Sequence, residues 1–224
     1  MKSIIAEIGI LVRKEVELEW RERSNLNGLL LFTVSTIFVC YLSFNQKRVE
    51  LSPITWNTLF WIIQLFAALN GAAKSFNQEA KGRFFYYYQM VSPQSIILSK
   101  MIYNAFLMLI IAFLGLGVYS VVLGNPVQDP LLFYGSVCLG AIGFASSLTM
   151  VSGIASKVQG NNTLMAILGL PAILPMILML IKISKNAMDG IARSQSMDEF
   201  LVIFAIDVIV ITVSYLLFPY LWRS

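Results

Sequence analysis

Residues 74–93, KSFNQEAKGRFFYYYQMVSP, form the longest polar interruption between two apolar segments of this chain. Charged side chains surround Gly82, and the aromatic run FFYYY follows directly. At the end of the stretch, Ser92 and Pro93 have the pattern of a helix N-cap followed by proline at the first helical position. This stretch is therefore predicted to connect two separate helices.

The composition is that of an integral membrane protein. Hydrophobic residues make up 58% of the 224 residues and charged residues only 12%, whereas about a quarter of the residues of a soluble domain are charged. A chain of this length holds about six spans of about 20 residues with short loops. We therefore expect the function to lie in the spans and loops, with no soluble catalytic domain.

We predict an all-α integral membrane protein in which an amphipathic interfacial helix precedes six transmembrane helices. The interfacial helix lies within residues 1–27, and the spans cover about 28–44, 56–73, 93–123, 131–155, 163–181 and 200–222. Small residues dominate the fourth span, and small residues let helices approach closely in lipid. We therefore expect that span to lie at the centre of the bundle. Lys100, near the start of the third span, is expected to snorkel to the interface.

The N-terminal helix is predicted from apolar residues at steps of three and four. They are Ile4 or Ile5, Ile8, Val12, Val16 and Trp20. The pairs Glu17–Arg21 and Glu19–Arg23 are expected to form ion pairs on its polar face. Such a helix either lies along the membrane surface or packs on a partner as a solvated helix.

The distribution of basic residues predicts the orientation, because cytoplasmic loops carry an excess of lysine and arginine. With the N-terminus inside, the inner segments hold Lys2, Arg13, Lys14, Arg21, Arg23, Lys74, Lys81, Arg83, Lys100, Lys157 and Arg223, whereas the outer loops hold Lys47, Arg48, Lys182, Lys185 and Arg193. Both termini and residues 74–92 are therefore predicted to be cytoplasmic.

Several kinds of chemistry find no support in the residues. The chain has no histidine, and its two cysteines are not in CxxC spacing, so we predict no catalytic residue and no metal site. The phosphate-loop pattern of ATP-binding proteins does not occur, and an ATP-driven function therefore requires a partner subunit. The net charge of +4 is attributed to membrane topology, and no nucleic acid partner is expected.

Residues 74–92 admit two interpretations. In one, they form a solvated loop whose aromatic residues rest among the lipid headgroups. In the other, a short helix over residues 76–81 ends at Gly82, and an aromatic helix then anchors it to the membrane. The polar half would dock on a partner protein, since arginine and aromatic residues are enriched in interface hot spots. The candidate docking residues are Asn77, Gln78, Glu79, Lys81, Gly82, Arg83 and Phe84.

Two further features of the spans are candidate functional sites. The first is an inner loop and hinge, with Lys157, Gly160, Asn161 and Asn162 in the loop and Pro171 and Pro175 in the following span. Each proline removes a backbone hydrogen bond and is expected to kink the helix. The second is Asp207, the acidic residue within a span. An intramembrane carboxylate is a functional candidate by default, but Asp207 could equally pair with a polar neighbour or reach the interface.

Two blocks of sequence resemble the CcmB family, the permease subunit of the cytochrome c maturation haem exporter. The first is SFNQEAKG, followed by an aromatic run, Ser92-Pro93 and Lys100. The second, GIASKVQGNNTLMAILGLPAILPMILML over Gly153 to Leu180, contains the Gly-Asn-Asn turn and a double-proline span. The similarity extends over essentially the whole chain in length and order. Lys81 and Arg83-Phe84-Phe85 depart from the family pattern, which has an acidic residue before the glycine and Thr-Leu-Glu after it.

The resemblance implies a non-enzymatic membrane subunit of ABC-2-type permease architecture in the bacterial inner membrane. Its implied partners are a cytoplasmic ABC ATPase subunit, a second copy of the chain and other haem-handling membrane subunits. Together they would couple ATP hydrolysis to haem delivery or to release of a periplasmic haem chaperone. No bound cofactor is implied, and haem would be cargo of the complex. The alternatives are an ABC-type exporter of a drug, lipid or polysaccharide, and a proton-coupled secondary transporter that uses Asp207.

Overall fold

The computed structural model describes residues 4–22, 24–47, 51–77, 91–157 and 162–223, and their regular structure is helical. The α-helices are α1 (Ile4–Glu22), α2 (Ser24–Lys47), α3 (Pro53–Asn77), α4 (Pro93–Leu123), α5 (Pro130–Lys157), α6 (Asn162–Met188) and α7 (Met197–Arg223). A short 3-10 helix, Arg193–Ser196, precedes α7. Helix α6 extends beyond residue 181, where the fifth span was predicted to end.

Five helical segments of the described residues are long and apolar enough to cross a membrane. They are Asn25–Asn45, Pro93–Leu123, Pro130–Ser156, Ile167–Met188 and Arg193–Leu221. Helix α3, which contains the predicted second span, is not among them. The all-helical membrane fold is therefore confirmed, whereas a count of six spans stays a prediction.

Two polar side chains of α3 donate hydrogen bonds inside the protein. The Asn57 amide donates to the Ile181 carbonyl at 2.8 Å, and the Trp61 indole donates to the Ser184 hydroxyl at 2.7 Å. Polar groups in a membrane must be satisfied by the protein itself. Helix α3 therefore directs these groups toward α6.

Helix α5 lies at the centre of the bundle, as its small residues predicted. In the 18-residue apolar stretch of its candidate span 72% of the residues are buried, against 17% in the corresponding stretches of α2 and α7. Close approach occurs at Gly140, where an added Cβ would lie 2.6 Å from the Trp61 ring and 3.0 Å from Leu180. The absence of a side chain at Gly140 thus allows α3 and α6 to pack on α5.

The contacts between helix ends divide the bundle into two ends. At one end, Trp56 donates from its indole to the Gly124 carbonyl at 2.9 Å, and the Arg193 guanidinium binds both oxygens of Asp129 at 2.6 and 2.9 Å. At the other end, Ser75 contacts Lys100 and Phe76 packs on Phe218. Asn77 and Val91, the described residues on either side of residues 78–90, lie at this second end.

Helix α1 has an orientation that its apolar stripe did not predict. Ile5 and Trp20 of the stripe are 82% and 76% exposed. The face toward the bundle instead carries Leu11, which is buried, together with acidic side chains that contact α4. The predicted pair of Glu19 with Arg23 lies outside the described residues, and the Glu19 carboxylate accepts from the Tyr103 hydroxyl at 3.1 Å.

Replacing Gly140 with alanine should destabilise the bundle. The new methyl group would overlap the Trp61 ring, and overpacking of a filled interior costs about 1–3 kcal/mol. Thermal unfolding in detergent measures the loss. Gly117→Ala is the matched control, since a Cβ there meets nothing within 4 Å. Equal melting temperatures for the two variants would contradict this packing.

The contact between Asp129 and Arg193 should make stability depend on pH. The Arg193 guanidinium, by hydrogen bonding, holds the pKa of Asp129 below its usual value. A depressed folded-state pKa contributes stability above the unfolded value of about 4, and this contribution is lost as the pH falls through the folded value. Arg193→Met should flatten the acid side of a melting-temperature profile. A profile unchanged below pH 4 would contradict the contribution of this pair.

Candidate functional site

Most of the predicted docking residues lie outside the described residues, namely Gln78, Glu79, Lys81, Gly82, Arg83 and Phe84, together with Gly160 and Asn161 of the inner loop. Asn77 is the last residue of α3, Lys157 the last of α5 and Asn162 the first of α6. The structure thus describes the positions from which residues 78–90 depart and to which they return. We call these positions, Ser75 and Phe76 on α3 and Ser92 to Lys100 on α4, the segment base.

Lys100 of α4 binds the end of α3, the first part of the segment base. Its ammonium donates to the Ser75 carbonyl at 2.7 Å and lies 4.9 Å from the centroid of the Phe76 ring. A cation is favourable near the C-terminus of a helix, where carbonyl groups have no partner within the helix. The expectation that Lys100 snorkels is wrong, because the residue is only 2% exposed and its partners lie within the bundle.

Two further hydrogen-bonding side chains connect the last turns of α3 to neighbouring helices. The Asn104 amide donates to the Ser75 hydroxyl at 3.0 Å and to the Thr149 hydroxyl at 2.7 Å. The Ser152 hydroxyl donates to the Ala72 carbonyl at 2.8 Å. Because Asn104 belongs to α4 and Thr149 and Ser152 to α5, three helices meet where the segment departs.

Ser92 begins the second part of the segment base, at the start of α4. Its predicted role as N-cap is confirmed. Its hydroxyl accepts from the Ser95 amide at 3.4 Å, with Pro93 in the first turn. Glu7 of α1 extends this cap: its Oε2 accepts from the Ser92 and Ser95 hydroxyls, both at 2.9 Å. A carboxylate is stabilising at a helix N-terminus, where the helix dipole is positive.

Three acidic side chains fasten α1 along α4. Glu7, Glu15 and Glu19 are spaced in multiples of four and therefore share one face of the helix. Glu15 lies 3.4 Å from the Lys100 ammonium, and Glu19 accepts from Tyr103. Sequence reasoning missed this contact because it followed the apolar residues of α1. A signal for this contact was available in the sequence, because Leu11 has the same four-residue spacing as these acids. Leu11 is buried in the structure.

Asp207 lies on α7 and is 4% exposed. Among the described residues, neither of its carboxylate oxygens has a hydrogen-bond partner. A Cβ added at Gly143 of α5 would overlap Asp207 Oδ1 and Met176 Sδ, so the carboxyl group packs between α5 and α6.

Pro171 and Pro175 both lie inside α6, which continues through them from Asn162 to Met188. Both prolines are exposed at the surface of the described bundle. Their neighbour Ile173 is fully packed, at 1% exposure. The two prolines therefore occupy the outer face of α6, opposite its contact with the bundle.

The fold and the segment base define a multi-pass helical membrane protein in which polar side chains of α1, α3, α4 and α5 meet at one end of the bundle. A family model described as CcmB protein matches residues 6–221, and the chain belongs to this family. Membership makes it a multi-pass inner-membrane permease subunit of the haem exporter of cytochrome c maturation, within an ABC transporter complex. Searches of curated proteins and of solved structures found no match.

Lys100→Met should destabilise the bundle and loosen the end of α3. The substitution keeps the apolar stem but leaves the Ser75 carbonyl without its donor and Glu15 without its nearest α4 cation, and a buried unsatisfied group costs about 1–3 kcal/mol. Thermal melting and hydrogen exchange at residues 72–77 measure the two effects. Lys182→Met is the control, because its ion pair with Glu199 is exposed on the lysine side and such pairs contribute about 1 kcal/mol or less. Similar losses in both variants would contradict a special role for Lys100.

Proposed function

We propose that residues 74–92 receive the input of a cytoplasmic ABC ATPase subunit and that the segment base passes this input to the bundle. The observation that carries the proposal is that both ends of the segment are fixed to α4 and connected to α1. Lys100 binds the departing end, and Ser92, capped by Glu7, forms the returning end. A displacement of residues 74–92 would therefore be transmitted to α1, α3 and α4 together.

The proposed topology has six spans, with α3 as the second and both termini in the cytoplasm. Helix α3 runs antiparallel to α4, since Trp56 lies beside Gly124 and Ser75 beside Lys100. Its 25 residues extend about 37 Å at 1.5 Å per residue, which exceeds the hydrocarbon thickness of about 30 Å. These dimensions and the exposed apolar stripe of α1 support an ABC-2-type arrangement with an interfacial first helix.

The proposed working unit contains a second copy of this chain, the ATPase subunit and other haem-handling membrane subunits. In it, Asn77, Gln78, Glu79, Lys81, Gly82, Arg83 and Phe84 dock on the ATPase. Lys157 and Asn162, where α5 ends and α6 begins, belong to the same proposed site, since Gly153 near the end of α5 lies beside Phe76. Hydrolysis in the partner would drive haem delivery or release of the haem chaperone.

Copurification and paired assays test the coupling role. The complex with the ATPase subunit should copurify from detergent, and Glu79→Ala with Arg83→Ala should lower both its ATPase activity and the yield of holo-cytochrome c several-fold. The control replaces Lys185 and Asp198, which are exposed at the opposite end, and should leave both measurements unchanged. Failure of any ATPase subunit to copurify, or unchanged activities in the Glu79 and Arg83 variant, would refute the proposal.

Glu7→Gln should separate ATP hydrolysis from transport. The amide keeps the size of the side chain but removes the charge that faces the α4 N-terminus, so ATPase docking should persist while coupling weakens. We expect near-normal ATPase activity with a several-fold lower yield of holo-cytochrome c. Glu17→Gln is the matched control, since Glu17 pairs with Arg13 on the exposed face of α1. A normal holo-cytochrome c yield in Glu7→Gln would argue against transmission through α1.

A second candidate function is favoured by Asp207. Its buried carboxyl group without a described partner is the arrangement expected of a proton carrier in a secondary transporter. That function predicts that Asp207→Asn abolishes transport and that transport collapses with the proton gradient. Under the ATP-driven proposal, the isosteric amide should leave holo-cytochrome c formation intact.

A further inference from the structure

A cavity of about 500 Å³ lies between α1, α2 and α4, within the usual range of about 300–1,000 Å³ for small-molecule sites. Phe106, Leu107 and Ile110 of α4 form one wall, and Val16 and Trp20 of α1 contribute another. None of the functional steps proposed above uses this cavity. Its walls match a long apolar ligand.

One wall of the cavity is polar and negatively charged. Among the described lining residues, Glu19 alone carries a formal charge, and its carboxylate accepts from the Tyr103 hydroxyl at 3.1 Å and from the Leu26 amide at 2.7 Å. These contacts fix the carboxylate in place. An ionised carboxylate has about four acceptor sites, so it can accept further donors from a ligand in the cavity.

The rim of the cavity faces the surroundings of the bundle. Trp20 is 76% exposed and Phe106 is 58% exposed. In a membrane these side chains meet lipid, and tryptophan favours the headgroup level. The cavity is therefore accessible to lipid, with its charged group on the helix predicted to lie at the interface.

We propose that the cavity binds a phospholipid whose headgroup carries a primary amine. An acyl chain fills the apolar part, and the ammonium group donates to the Glu19 carboxylate. An ammonium complements this charge, whereas the headgroup of phosphatidylglycerol adds further negative charge beside it. The quaternary ammonium group of phosphatidylcholine is cationic but has no N–H to donate. The bound lipid would also join α1 to α2 and α4, and this role is independent of ATPase coupling.

Native mass spectrometry of the full-length protein tests the proposal. The protein is reconstituted in equal amounts of phosphatidylethanolamine, phosphatidylcholine and phosphatidylglycerol with identical acyl chains, and the retained lipids are counted after detergent extraction. The wild type should retain phosphatidylethanolamine about tenfold over phosphatidylcholine, as expected of a charge-assisted hydrogen bond. Glu19→Gln should abolish that preference. Glu17→Gln, on the exposed face of α1, should preserve it.

A cavity-filling variant tests the site without altering Glu19. Val16→Trp places a large ring in the cavity and should remove the retained lipid. Ile10→Trp is its control, since Ile10 is 56% exposed and does not line the cavity. Equal retention of the three lipids by the wild type would overturn the proposal. So would a preference that persists in Glu19→Gln, or the same lipid count in the two tryptophan variants.

Discussion

The buried ammonium group of Lys100 is the constraint on which the rest of this bundle depends. Removing a charge from water is expensive unless it is paired and hydrogen-bonded. Lys100 meets this requirement through the Ser75 carbonyl, the Phe76 ring and the Glu15 carboxylate. These partners belong to α3 and α1, so the ammonium can stay buried on α4 only while both neighbours keep their places. One charge thereby fixes the relative positions of three helices.

Helix α1 carries two different surfaces, an acidic face toward α4 and an exposed apolar stripe. Its acidic face is matched to the donors of α4: hydroxyl groups at the capped N-terminus, the Lys100 ammonium and the Tyr103 phenol. Its apolar stripe remains exposed at Ile5 and Trp20, as an interfacial helix requires. The same helix can therefore lie in the membrane surface while it is fastened to the bundle by charge and hydrogen bonds.

Local signals in the sequence predicted those parts of the fold that depend on local chemistry. Ser92 and Pro93 predicted the start of α4, and the small residues of α5 predicted its central position. The acidic contacts of α1 could not be predicted in the same way. Apolar periodicity identifies a helix and its apolar face, but the partner of a polar face depends on tertiary packing. Lys100 was misjudged for the same reason, since its inward direction is set by the end of α3.

The docking role of residues 74–92 stays a prediction, because most of its candidate residues lie outside the described residues. The polar character of this stretch predicts where a partner docks, but it says nothing about how a displacement would reach the bundle. The contacts of the segment base supply the proposed route for that step. Both ends of the segment are held on α4 within the short distance from Ser92 to Lys100, and each end also reaches α1 through a carboxylate. Under the proposed coupling role, a displacement of residues 74–92 would therefore act on α1 and α4 together, which favours movement of these two helices as one unit over local unwinding of α3.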